Sequence, residues 1–333
     1  MEPMQVENGI LSREDNAKVA IIAALVLVDA GWMVLAGYHF AFASLTKVGC
    51  LFLILLAVGE FYRLRRPNPL FVTMMRETAW LVAFAAAAAI LSNLIATMDL
   101  PIIDEPLVTI DRFMGFHWHR YYFFFTSQPA LGLLASILYV SALPLVVVAM
   151  VGSAFAGRPQ RTKELVLALM IGAVIAIVIS GFLPSAGALA WFRPDESQFG
   201  HHPIVNLAYK QTFYDLRAGN ISQFSLDDVK GLIAFPSYHA TICTLVMLAF
   251  RGVRKVFWPL VAFNIAVLAT TPVEGGHHLI DAFAGVAVAV ISLRIAEAWR
   301  YRLDLPRRTA AALVTVGGGK LPELAFPSAP ASD

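Results

Sequence analysis

Charge is what this sequence has least of. Only 14% of its 333 residues are Asp, Glu, Lys or Arg, and the formal net charge is +2, whereas a soluble chain carries about a quarter charged residues. With 58% of the residues hydrophobic, this shortage excludes an ordinary soluble domain and predicts a polytopic membrane protein. The near-neutral balance predicts no nucleic-acid partner. Cysteine is scarce too. Cys50 and Cys243 both fall in apolar segments, which excludes a disulfide framework or cysteine metal site and reads both as small core residues. Met1 to Asn16 lacks the basic stretch and small-residue cleavage site of a signal peptide, so the first apolar segment is expected to persist as an anchor. A phosphate-binding loop is missing as well, because "VGGGKLP" near Lys320 has neither the spacing nor the Ser/Thr.

Long apolar runs are abundant. A membrane span needs about 20 mostly apolar residues, and that template predicts segments near 18–38, 43–62, 79–98, 130–152, 164–183, 237–252, 256–272 and 277–298. Basic clusters separate them: Arg63, Arg65, Arg66 and Arg76; Arg158, Arg161 and Lys163; Arg251, Arg254 and Lys255; Arg300, Arg302, Arg307 and Arg308. Cytoplasmic termini put all four clusters inside, as the positive-inside rule requires, and a shift by one span would split them. Two longer loops face the other side. Leu100 to Pro129 contains "TIDRFMGFHWHRYYFFF", whose aromatics suit headgroup-level anchoring, with His117, His119 and Arg120 as alternative headgroup ligands. Pro184 to Pro236 is too polar to span and too long to be a mere connection, which points to function.

This topology brings histidines to one end of the bundle. His239 lies at the outer end of the sixth segment, and "HHLIDAFAG" opens the eighth, with His277 and Asp281 one turn apart on one face. Two helix N-termini are thereby expected to offer free N–H groups to an anion. Pro236 and Ser237 suit a helix start, and Gly275 and Gly276 allow close backbone approach. A histidine whose far nitrogen is held by an acid is a sensible nucleophile, and a second histidine can protonate a leaving alkoxide and later activate an acceptor. The expected chemistry is phosphoryl transfer through a phosphohistidine.

The stretches "FPSYHA" and "GGHHLIDAFAG" resemble the second and third signature motifs of the type 2 phosphatidic acid phosphatase superfamily. Together with "GFLPSAGALAWF" and "DLRAGN" they look like its inositol phosphorylceramide synthase-like branch, over roughly Pro101 to Ile295. The resemblance implies His277 as nucleophile, Asp281 as its orienter and His239 as general acid. It also departs from the family. Thr271 stands where the phosphatase third motif has an arginine, no Lys-x6-Arg-Pro motif occurs, and "KQTFYDLR" keeps only the Lys210–Arg217 spacing, with Ala218 in place of proline. Tyr238 replaces a small residue before the motif histidine.

The expected molecule is an all-α membrane bundle of about eight spans with a six-helix phosphatidic acid phosphatase-like core. Its divisions are a cytoplasmic segment 1–17, accessory spans and the start of the core at 18–98, a catalytic membrane domain at 99–298 and a disordered cytoplasmic tail at 299–333. The expected activity is lipid phosphotransfer or phosphate hydrolysis on a phospholipid or isoprenoid phosphate at the extracytoplasmic face of the cell (inner) membrane, without cofactor or metal. The substrate-binding set is Ser237, Arg217 as the preferred cation, Lys210, Tyr238 and His278, the last read chiefly as packing. Glu274, His201 and His202 are read as outer-loop surface residues, with a supporting role for Glu274 as the alternative. Asp29 is read as a structural bond between helices or as part of a polar path. The alternatives are a plain lipid phosphate phosphatase and, in another class, a proton-coupled transporter; oligomeric state is left open.

Overall fold

The computed structural model describes residues 15–195, 197, 199–227 and 231–317, and the side chains of these except 209 and 303–317. Apolar runs without a polar face can be satisfied only by lipid or by one another, and the chain folds accordingly into helices. α1 (Asp15–Ala36), α2 (Leu45–Leu64), α3 (Pro69–Ala96), α8 (Pro159–Phe182), α12 (Arg254–Glu274) and the first part of α13 (Leu279–Gly317) are long and apolar enough to cross a membrane. The protein is thus an all-α, multi-pass integral membrane bundle. α7 (Ala142–Phe155) and α11 (Tyr238–Ala249) are shorter apolar helices, and α5 (Trp118–Thr126) turns into α6 (Pro129–Val140) through 105°. α4 (Asp104–Phe113), α9 (Ala188–Phe192) and α10 (Leu207–Arg217) are the short helices of the loops.

Several boundaries differ from the sequence expectation for local reasons. The third span begins at Pro69, not near 79, because Asn68 Oδ1 accepts from Leu70 N (3.2 Å) and Phe71 N (3.3 Å) with proline in the first turn, a strong N-terminal signal. The expected segment 130–152 is split into α6 and α7 at Ser141, where Pro144 has no N–H to give to the Val140 carbonyl. α13 continues to Gly317 past the expected end of order; residues 1–14 of the N-terminal segment and 318–333 of the tail lie outside the described residues. Cys243 is buried, as expected, but Cys50 is exposed on α2. Asp29 is buried in α1 and neither carboxylate oxygen has a hydrogen-bond partner, so the expected interhelical bond is not made.

The core forms around α8, which packs against α3, α7, α11 and α13. Small residues set how closely the helices approach. A Cβ on Gly285 of α13 would run into Ser237 O and sit 2.9 Å from Ala240 Cβ on α11, so the starts of these two helices nearly touch. α1 and α2 lean on α3. A two-residue parallel pairing, His39–Phe40 (β1) with Gln223–Phe224 (β2), ties the α1–α2 link to the long loop. At the opposite end of the bundle, Lys18 bonds Glu77 (2.6 Å), and Glu164 gathers Arg161 (2.9 Å), Arg300 (3.0 Å) and Arg251.

Candidate functional site

The end of the bundle where α8 and α12 finish and α11 and α13 begin is sealed by backbone contacts. Ser237 N donates to Asp281 O (3.0 Å), Leu189 N to Gly276 O (3.2 Å) and Val205 N to Glu274 O (3.0 Å). Gly276 and Gly187 both have positive φ (63° and 89°), and a Cβ on Gly187 would lie 2.8 Å from Gly276 O and 3.1 Å from Lys210 Nζ. Only glycine lets these two turns and the lysine share that space.

His277 stands in the middle. Its Nδ1 lies 3.2 Å from Asp281 Oδ2 one turn below, and its Nε2 lies 3.3 Å from Ser237 Oγ. Burial pushes its pKa down to about 3, with the Lys210 charge adding to the effect. The ring is neutral at ordinary pH, which leaves a lone pair on Nε2 when Nδ1–H faces the aspartate. Lys210 is buried, and desolvation lowers its pKa to about 8 against the opposing pull of Asp281 and Asp104. Ser237 also caps α11, its Oγ accepting from Ala240 N (3.3 Å). The sequence expects His239 beside this group, and in the structure its ring lies against Tyr139. The two rings stack with centroids 3.9 Å apart and planes 6° apart, and His239 Nε2 donates to Tyr139 O (2.8 Å). A Cβ on Gly275 would fall 2.6 Å from His277 Cδ2 and 2.9 Å from the Tyr139 hydroxyl, so both side chains border the Gly275 turn.

Other residues read from sequence lie elsewhere. Arg217 is committed to the loop after α3: its guanidinium donates to Met98 O (2.9 Å), Leu100 O (2.5 Å) and Asp99 (3.0 Å). Tyr238 turns back into the bundle, its hydroxyl donating to Leu169 O (3.0 Å) on α8. His278 is fully buried, with Nε2 3.0 Å from Asp104 Oδ1 and Nδ1 3.8 Å from Asp111 Oδ2. Burial favours its neutral form, yet the Asp104 bond and the surrounding carboxylates hold its pKa above the usual value.

Two aspartates that sequence reasoning missed organise this end. Asp104 accepts from Ser185 Oγ, Ala186 N and Gly187 N, each at 2.9 Å, besides meeting His278. Burial opposes its charge, but these bonds win and lower its pKa. Asp111 accepts from Leu279 N (2.9 Å) and Ile280 N (3.0 Å), while Asp281 Oδ2 accepts from His278 N (2.9 Å). The free N–H groups expected at the start of α13 are therefore already occupied by carboxylates. Asp104 and Asp111 are seven residues apart, two turns on one helix face, and that spacing was the available signal. Glu274 and His201 also depart from the surface reading. Glu274 is fully buried, with Oε1 3.1 Å from His201 Nε2 and Oε2 accepting from Ser136 Oγ (2.8 Å) and Ile204 N (3.0 Å). The aromatic loop is partly interior: Trp118 Nε1 donates to Pro272 O (3.1 Å) and Tyr121 to Ala269 O (2.7 Å). His119 and Arg120 stay exposed, and His119 lines a surface pocket with Arg112, His117 and Phe192.

The arrangement offers an aligned neutral imidazole, a second imidazole, a hydroxyl and one buried cation, which suits displacement at a phosphorus centre. No curated protein and no solved structure matches the chain. A family model described as the PAP2 superfamily matches residues 105–295, a stretch that covers more than half of the chain and contains His239, His277 and Asp281. With the membrane-spanning helices, this match makes the chain an integral membrane enzyme of the PAP2 superfamily, a family of phosphatases and phosphotransferases.

Proposed function

We propose that the enzyme moves a phosphoryl-containing group from a lipid phosphate through a phosphohistidine at His277, and that it does so as an inositol phosphorylceramide synthase-like transferase. The observation that carries the proposal is the His277 geometry, with Nδ1 on Asp281, Nε2 beside Ser237 Oγ and a buried lysine alongside. Asp281 fixes the tautomer and supports the positive charge that develops on the ring as Nε2 attacks phosphorus. Lys210, Ser237 and the first-turn N–H groups of Tyr238 and His239 hold the non-bridging oxygens; these are first-turn donors with no intrahelical partner. Lys210 takes the role the sequence preferred for Arg217, which is engaged elsewhere. His239 gives a proton to the departing oxygen and takes one from the acceptor, a role worth about 10²–10⁴ in rate. His278 supports the fold from behind, and no metal is required because the buried lysine and helix N-terminus supply the positive potential.

The transferase reading rests on the "GFLPSAGALAWF", "FPSYHA" and "GGHHLIDAFAG" motifs and on Thr271 in place of the phosphatase arginine. The extracytoplasmic site rests on the basic clusters at the far end of the bundle. The test is purified protein in vesicles containing ³²P-labelled phosphatidic acid, phosphatidylinositol with ceramide, or polyprenyl diphosphate. Label should appear on the protein as an acid-labile adduct, vanish in His277→Ala, and pass to a lipid hydroxyl. Free phosphate as the sole product makes the enzyme a lipid phosphate phosphatase, and absence of the adduct removes the covalent mechanism.

A further inference from the structure

His239 raises a chemical question, because the bond it makes is to a backbone carbonyl. A carbonyl oxygen only accepts, so Nε2 must carry hydrogen whenever the 2.8 Å contact to Tyr139 O exists. The neutral ring then has its lone pair on Nδ1. Tyr139 lies in the last turn of α6, next to the break at Ser141, and its carbonyl faces the start of α11, where His239 meets it. The Tyr139 ring does the remaining work. Stacked at 3.9 Å and 6° on the imidazole, it opposes the half-turn of the ring that would put Cε1 in the place of Nε2 and break this bond.

We infer that Tyr139 is a positioning residue that fixes the tautomer of His239, so that Nδ1 is the atom that exchanges protons with the leaving and accepting oxygens. The inference rests on the phosphohistidine reading and deepens it. The two histidines then work in opposite senses: His277 is held at Nδ1 and reacts at Nε2, whereas His239 is held at Nε2 and reacts at Nδ1. In the first step His277 Nε2 bonds to phosphorus, the phosphorus–oxygen bond to the leaving group breaks, and the Nδ1 proton of the His239 imidazolium passes to that oxygen. In the second step the acceptor hydroxyl gives its proton to Nδ1, its oxygen bonds to phosphorus, and the nitrogen–phosphorus bond breaks. Both rings end as they began.

The direct test is nitrogen NMR of the full-length protein labelled with ¹⁵N-histidine, with the His239 signal identified by its loss in His239→Gln. The expected neutral ring has hydrogen on Nε2 and a bare Nδ1; hydrogen on Nδ1 overturns the assignment whether or not the phosphohistidine exists. The kinetic test compares a lipid phosphate with p-nitrophenyl phosphate, whose leaving group needs no proton. Tyr139→Leu should slow phosphoenzyme formation from the lipid by roughly 10–100-fold with KM little changed, part of the full general-acid effect, and should spare formation from the aryl ester. Tyr139→Phe, which keeps ring and carbonyl, should recover most of the loss. An equal loss on both substrates would mark Tyr139 as merely structural.

Discussion

At the scale of single residues, the roles of Asp281 and Lys210 separate cleanly. Asp281→Asn keeps the shape but presents an amide that can hold His277 in the wrong tautomer. The expected result is a fall in kcat of about 10³–10⁴, the size seen when the orienting aspartate of a catalytic histidine becomes an amide, with lipid binding retained. Lys210 answers to pH. Its pKa is lowered to about 8, chiefly by burial, so in the free enzyme the cation is present below that value and lost above it. Because kcat/KM reports the free enzyme, it should decline as pH rises through about 8, and Lys210→Arg should move that decline upward. An unchanged alkaline limb in Lys210→Arg would assign the group to another residue. His277, with its pKa pushed down to about 3, contributes no limb near neutrality.

At the scale of helices, the start of α13 is held by a carboxylate from a different helix. Asp111 on α4 takes the N–H groups of Leu279 and Ile280, a cap supplied from 168 residues away in the chain. Asp111→Ala should cost about 1–2 kcal/mol, the range for loss of a cap, read as a lower Tm in detergent. It should also lower kcat, since His277 sits immediately before this turn. What was legible in the sequence follows the same division between local and distant. His277, Asp281 and Ser237 lie within a turn of helix starts, and one turn is what spacing reports. The contacts of Asp104 and Asp111 with α13 and the Glu274–His201 contact depend on loops folding back; the seven-residue spacing could mark the two aspartates as a pair on one face but not name their partners. Lys210 and Arg217 show the limit well. Seven residues put both on one face of α10, but about 10 Å apart along its axis, so one reaches the His277 group and the other the Met98–Leu100 carbonyls. Likewise the eight apolar runs gave the all-α bundle, whereas the 105° turn between α5 and α6 falls where Gln128 is held extended before Pro129, within a loop that sequence assigned to the interface.

At the scale of the whole molecule, polarity is segregated end to end. The His277 group, Asp104 and Lys210 occupy one end, and Arg63, Arg65, Arg66, Arg158, Arg251, Arg254 and Arg300 lie toward the other. Cytoplasmic loops retain Lys and Arg because moving them across the bilayer is disfavoured, and the proposed extracytoplasmic placement of the reactive end rests on this asymmetry. The assignment can be read directly with single cysteines in a Cys50→Ser, Cys243→Ala background. Ser222→Cys lies in the exposed loop on the reactive side, and Arg254→Cys opens α12 on the basic side. In intact cells a membrane-impermeant maleimide should label Ser222→Cys and leave Arg254→Cys untouched until the membrane is opened. The reverse pattern would turn the bundle over and give the enzyme a cytoplasmic lipid phosphate to work on, with the same chemistry at His277 but substrates drawn from the other leaflet.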